Sequence, residues 1–215
     1  MTRALIVIDV QDSFLQREAW AATNAPDIVE RVGRLVEHAR SNSDLVVWVL
    51  HSEPGSGGPF DPASGHVRLM SGLEPRPGEP VLTKVVHNAF TTTNLQHLLT
   101  QNEIHDLTIC GIRTEQCCET TARLASDLGY RVTFVADATA TTPIEHPDAP
   151  AGRSLAEVLA DPLTLQADEI VRRTVYALAG RFADVVTVDD VVGAAAGGRD
   201  DAQVRAGIPA GAVAH

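Results

Sequence analysis

The sequence predicts a single α/β domain: a Rossmann-like, open, mostly parallel sheet of six strands with helices on both faces. Three observations carry this. Short runs such as ALIVIDV at residues 4–10 and LVVWVL at residues 45–50 are almost unbroken in apolar character, as strands covered on both faces read. Segments with helical spacing alternate with them, the order that builds parallel sheets. At 215 residues the chain has room for one sizeable core and little more.

Residues 4–10 are the first strand. Residues 24–40 read as a helix, with Pro26 in the first turn and Ile28, Val32, Leu35, Val36 and Ala39 on one face. The second strand is 45–50. Residues 51–80 are rich in Gly, Pro and Ser and form a long loop, a class of loop that is usually functional in compact domains. Residues 81–84 are a short strand, and a helix begins over 94–100. Residues 107–110 are an apolar strand ended by Gly111. The helix over 114–128 carries an apolar stripe of Cys118, Thr121, Ala122, Ala125 and Leu128, with Gly129 as its stop. A strand at 131–136, an amphipathic helix at 167–180 and a last strand at 184–188 complete the domain, which spans 1–192. Residues 193–215 are Ala/Gly-rich without periodicity and read as a tail or an oligomer arm.

Composition narrows the function. A hydrophobic fraction of 44% with 21% charged residues is that of an ordinary water-soluble domain. A formal charge of −11 argues against nucleic-acid and anionic membrane surfaces, which draw on an excess of Lys and Arg. The apolar run after Arg3 is interrupted by Asp9, too early for a signal peptide or a membrane span. Three cysteines, two of them adjacent, make no disulfide framework, so free thiols in a reducing cytoplasm are expected.

Ligands of open parallel sheets bind beyond the carboxyl ends of the strands. There the chain places Asp9, His51, Lys84, the 111–117 turn and Asp137. Asp9 stands inside an apolar run and is followed by Gln11 and Asp12, so it either caps the turn or does chemistry. Lys84 alone reads as readily as a solvated surface residue. Cys117 lies in the first turn of a helix, where free amides and the helix dipole lower a thiol from its usual value of about 8.5. Inert burial, the common fate of cysteine, is the competing reading there and the accepted one for Cys110 and Cys118. No G-x-G-x-x-G follows the first strand, which argues against dinucleotide binding. A redox sensor built on Cys117 and Cys118 is disfavoured, because a bridge between adjacent cysteines is strained.

Four segments, in order, resemble the isochorismatase-like cysteine hydrolases. They are Leu5-Ile-Val-Ile-Asp9-Val-Gln11-Asp12-Ser-Phe14, Lys84-Val-Val-His-Asn88-Ala-Phe90-Thr-Thr-Thr-Asn-Leu95, Gly111-Ile-Arg-Thr114-Glu-Gln-Cys117-Cys-Glu-Thr-Thr121-Ala122 and Gly129-Tyr-Arg-Val-Thr-Phe-Val-Ala-Asp137-Ala138. The resemblance implies a catalytic triad of Asp9, Lys84 and Cys117. It also implies a cis peptide at Ile112–Arg113, with the Arg113 and Cys117 amides as an oxyanion hole. Retention of Cys117 points to acyl chemistry on a small molecule, meaning amide, carbamoyl or ureido cleavage. The alternatives are a vinyl ether hydrolase and a non-catalytic or redox-sensing relative that uses Cys117. Gln11, Phe14, His51, Phe90, Arg113 and Gln116 are expected to face the substrate. Nicotinamidase-type relatives carry a D-x-H…H metal site. Here that place reads His51-Ser-Glu53 with His66 further on, so neither a metal nor another cofactor is expected. A homo-oligomer, dimer or tetramer, is expected from the family's habit.

Overall fold

The computed structural model describes residues 3–193. Its strands are β1 (Arg3–Ile8), β2 (Leu45–His51), β3 (Val81–Lys84), β4 (Asp106–Ile112), β5 (Arg131–Ala140) and β6 (Asp184–Val186). Its helices are α1 (Ile28–Ser41), α2 (Leu95–Gln101), α3 (Glu119–Asp127), α4 (Leu155–Ala160), α5 (Ala167–Leu178) and α6 (Val188–Gly193). The six strands form one sheet in the order β3-β2-β1-β4-β5-β6, and every neighbouring pair is parallel. The chain leaves β1 toward one edge and returns beside it as β4, so the topological switch point lies between these two strands.

Burial on both faces explains the unbroken apolar runs. Side chains of β1 alternate between two cores. Leu5 and Val7 join Ile28, Val32, Leu35 and Val36 of α1 and Val188 of α6 on one face. Ala4, Ile6 and Ile8 join Leu95 and Leu99 of α2, Ala122 and Ala125 of α3 and Leu178 of α5 on the other. Trp48 is fully buried in β2 and donates its indole N–H to Glu79 at 2.9 Å. Glu79 also receives Arg40 at 2.7 and 2.9 Å and the Arg76 amide at 2.9 Å.

Boundaries differ from expectation where a side chain competes for the backbone. The first helix begins at Ile28, not residue 24, because the Asn24 amide bridges Thr139 O at 3.3 Å and the Thr141 N–H at 2.7 Å. Gly111 does not end β4 but lies within it, paired with Ile8, at φ 127°. A Cβ at this position would overlap the Ile8 carbonyl oxygen, so only glycine lets β1 and β4 approach so closely. The helix expected over 114–128 splits into a wide turn, Thr114–Cys118, and α3, and Leu128 at its end is 40% exposed. β5 runs on to Ala140 past a register shift opposite Ile109 and Gly111. The last strand stops at Val186 because α6 starts at Val188, whose N–H is capped by Asp137 Oδ1 at 2.8 Å. The short helix α4, closed by a capping box of Ser154 and Glu157, was not expected. The expected tail at 193–215 lies, apart from Gly193, outside the described residues.

Candidate active site

Three strand ends meet at the carboxyl edge of the sheet. β1 ends at Ile8, and Asp9 then takes a left-handed conformation, φ 53°, with its N–H on Val49 O at 2.8 Å. Aspartate tolerates this geometry better than most residues. Lys84 is the last residue of β3, in register with His51 at the end of β2. Cys117 sits in the wide turn after β4, which is closed by the Cys118 N–H on Arg113 O at 3.1 Å. The Thr114 hydroxyl, on Thr139 Oγ1 at 2.9 Å, ties that turn to β5.

The sheet brings the three side chains together. Lys84 Nζ donates to Asp9 Oδ2 at 2.7 Å and lies 3.3 Å from Cys117 Sγ. Asp9 and Lys84 are fully buried and Cys117 is 6% exposed. Asp9 Oδ1 has no hydrogen-bond partner among the described residues, which leaves it open to a proton or a ligand. The peptide between Ile112 and Arg113 is cis.

The electrostatics correct one expectation. Burial, followed by the Asp9 carboxylate, pushes the Cys117 thiol up to about 12, and Lys84 offsets only part of this. The dipole argument missed the low dielectric and a neighbouring anion supplied from a distant strand. Burial also raises Asp9 above its ordinary value against the pull of Lys84. Burial works against the Lys84 ammonium, but Asp9 and Cys117 outweigh it and raise its pKa. Burial thus favours the neutral thiol and weakens the acidity of Asp9, while Lys84 is held as the ammonium beside both.

The surrounding residues divide into two groups. His51 Nδ1 is 3.4 Å from Lys84 Nζ, and its Nε2 is 3.3 Å from Glu53 Oε1, a network in which Nδ1 accepts and Nε2–H donates. Burial, then Lys84, holds this imidazole below its ordinary value. Phe60 of the 51–80 loop packs edge-on against Phe14 at 5.0 Å and His51 at 5.7 Å. Phe90 is buried and stacks on Tyr130 at 5.9 Å, while Gln116 is half-buried in the Thr114–Cys118 turn.

Other expected contacts are spent elsewhere. Gln11 uses its amide on Ser13 Oγ at 2.8 Å, His51 O at 3.0 Å and the His51 N–H at 2.7 Å, so it locks β1 to β2 instead of offering polar atoms to a substrate. The Arg113 guanidinium turns to Thr141 Oγ1 at 3.3 Å, Thr142 O at 3.0 Å and Glu115 at 3.1 Å. Among the described residues no three His, Cys, Asp or Glu side chains gather as a metal site. His87 was not singled out from sequence, yet its Nδ1 lies 3.9 Å from Cys117 Sγ. An open cavity of about 670 Å³ at the opposite end of the sheet holds Asp106 and Arg131, which are paired with each other, and none of these three groups.

The sequence matches the isochorismatase domain over residues 3–167. The chain belongs to the isochorismatase family. Within it, the YrdC protein of Bacillus subtilis is 30% identical over 138 residues, 64% of this chain and 73% of that one. A streptothricin hydrolase of Streptomyces noursei is 32% identical over 167 residues, covering 78% of this chain but 58% of the relative. The crystal structure of an isochorismatase-family protein from Chromobacterium violaceum superposes with a TM-score of 0.77, covering 90% of this chain and 93% of that one at 25% identity. The α/β domain described above is thus the isochorismatase fold, and the protein is a hydrolase of that family.

Proposed function

We propose that this hydrolase cleaves a C–N bond of a small molecule, in an amide, carbamoyl or ureido group, through a thioester on Cys117. The observation that carries this is Lys84 Nζ lying 2.7 Å from Asp9 Oδ2 and 3.3 Å from Cys117 Sγ in a sealed site. Asp9 takes the thiol proton as sulfur attacks the carbonyl carbon, and Lys84 stabilises the anions on either side of that transfer. The tetrahedral oxyanion is received by the Arg113 and Cys117 amides, the pair the family resemblance implies. Phe14, Phe60, His51 and Phe90 shape the substrate pocket.

A vinyl ether has no carbonyl carbon for Cys117 to attack, and that counts against the alternative chemistry. The test is a screen of primary amides, ureides and carbamates for ammonia release, followed by mass spectrometry of the protein quenched during turnover. A substrate-sized adduct on Cys117 is the expected result, and turnover by Cys117→Ala would refute the proposal. We infer a homo-oligomer as well, from the habit of the family the chain belongs to, and light scattering should return a multiple of the 22.9 kDa chain. Three free buried thiols fit a reducing, cytoplasmic setting, and among the described residues no helix is long and apolar enough to cross a membrane.

A further inference from the structure

Cys117 Sγ has two nitrogen neighbours of opposite character. Lys84 Nζ, at 3.3 Å, is sealed from solvent, whereas His87 Nδ1, at 3.9 Å, belongs to an exposed side chain. The segment that carries His87 is fastened on either side. Ahead of it, the Val85 N–H donates to Thr92 Oγ1 at 3.1 Å. Behind it, Asn88 Oδ1 accepts from the Phe90 N–H at 3.0 Å and from the N–H and hydroxyl of Thr91, both at 2.9 Å. The Ala89 N–H then donates to Thr121 Oγ1 at 3.1 Å, which ties the turn to α3 directly after the nucleophile. The main chain that carries His87 is thereby fastened, and it presents an exposed imidazole 3.9 Å from the sulfur.

We propose that His87 is a second catalytic acid–base residue, which serves the leaving group and the attacking water while Asp9 serves the thiol. This rests on the thioester reading above and deepens it. The division follows from access. Asp9 is fully buried, and a single carboxylate would otherwise have to pass a proton to the leaving nitrogen, take another from water and return it to sulfur. Histidine gives and takes protons near neutral pH better than any other side chain.

In acylation the thiol proton goes to Asp9, the S–C bond forms, the C–N bond breaks, and the departing nitrogen takes a proton from the His87 imidazolium. In deacylation water attacks the thioester carbon and gives a proton to the neutral His87. The C–S bond breaks and the thiolate recovers its proton from Asp9. One water is consumed, the amine and the acid leave, and both residues return to their starting states.

The test compares two probes that put the same acetyl group on Cys117, p-nitrophenyl acetate and phenyl acetate. p-Nitrophenolate leaves without help, whereas phenoxide is the poorer leaving group and needs an acid. The rate of Cys117 acetylation by each is followed by intact mass, and their ratio is independent of any unfolded fraction. In His87→Gln the ratio should widen in favour of p-nitrophenyl acetate by about tenfold or more, a part of the usual effect of a general acid. A ratio within about threefold of the parent protein would overturn the assignment, since a merely structural role slows both probes alike. If the parent protein is not acetylated on Cys117 by p-nitrophenyl acetate, the thioester reading itself fails, an outcome distinct from failure of the His87 role.

Discussion

Lys84 Nζ donates a 2.7 Å hydrogen bond to Asp9 Oδ2, and neither side chain reaches solvent. A buried pair of this kind adds little net stability, but leaving one member alone is costly, about 3–5 kcal/mol. Lys84→Met should therefore lower the urea midpoint strongly as well as abolish turnover. The double variant Asp9→Asn with Lys84→Met should regain most of the stability and none of the activity. Equal midpoints for Lys84→Met and the double variant would show that the pair is not coupled.

Cys117 and Cys118 are adjacent and both buried, but Lys84 and His87 approach only the sulfur of Cys117 among the contacts described. Cys117→Ala should abolish hydrolysis of whichever amide the screen identifies, while Cys118→Ala keeps most of it. Single losses at Asp9, Lys84 and Cys117 should each approach the loss of all three, because the residues act as a unit. Steady-state kinetics on the set of variants measures this.

The pH behaviour of Cys117 has a defined sign. Burial and the Asp9 charge push the thiol up to about 12, so thiolate is scarce at neutral pH. Alkylation by iodoacetamide should be slower than for free cysteine at pH 7.5 and should rise steadily with pH. In Asp9→Asn the opposing charge is gone while Lys84 remains, so alkylation at pH 7.5 should speed up although turnover is lost. Slower alkylation of that variant would contradict the charge assignment.

Glu79 sets a separate acid limit. Burial works against its carboxylate, but Arg40, the Arg76 amide and the Trp48 indole hold it down at about 2, from an ordinary 4.5. A depressed carboxylate contributes its stability fully above the unfolded value and loses it as pH falls through the folded one. The protein should lose about 2–3 kcal/mol from this group between pH 4.5 and 2. Glu79→Gln should lose a similar amount at pH 7 and show a flatter acid profile, with Trp48 fluorescence reporting unfolding.

What was legible in the sequence depended on local pattern. The inner strands β1, β2 and β4 are visible because burial on both faces leaves an apolar run, and Asp9 stands out because it breaks one. The partly exposed edge strands β3 and β6 are short and legible only by their place in the alternation. Lys84 carries no local sign, and only the likeness of its surrounding block to a family motif singled it out. The bonds that occupy Gln11 have no local sign either, because they come from His51, a neighbour across the sheet. His87 was passed over for the same reason: nothing in Val-Val-His-Asn says that β3 will end beside the turn after β4. The state of the thiol was misjudged because the dipole is local and can be read, whereas burial and the Asp9 charge are tertiary.

The close approach of Gly111 to Ile8 has a consequence for how this scaffold changes. The carboxylate directly follows Ile8 and the sulfur rides on the turn that follows Gly111, so main-chain packing sets the spacing of one from the other. No side chain stands between these strands to be exchanged and re-tune that spacing. Phe60, by contrast, packs against Phe14 and His51 from a long loop whose outer turns are exposed. Inheritance can therefore treat the two separately: residues of the loop can be traded while the spacing of Asp9 and Cys117 passes on unaltered with a single hydrogen atom at position 111.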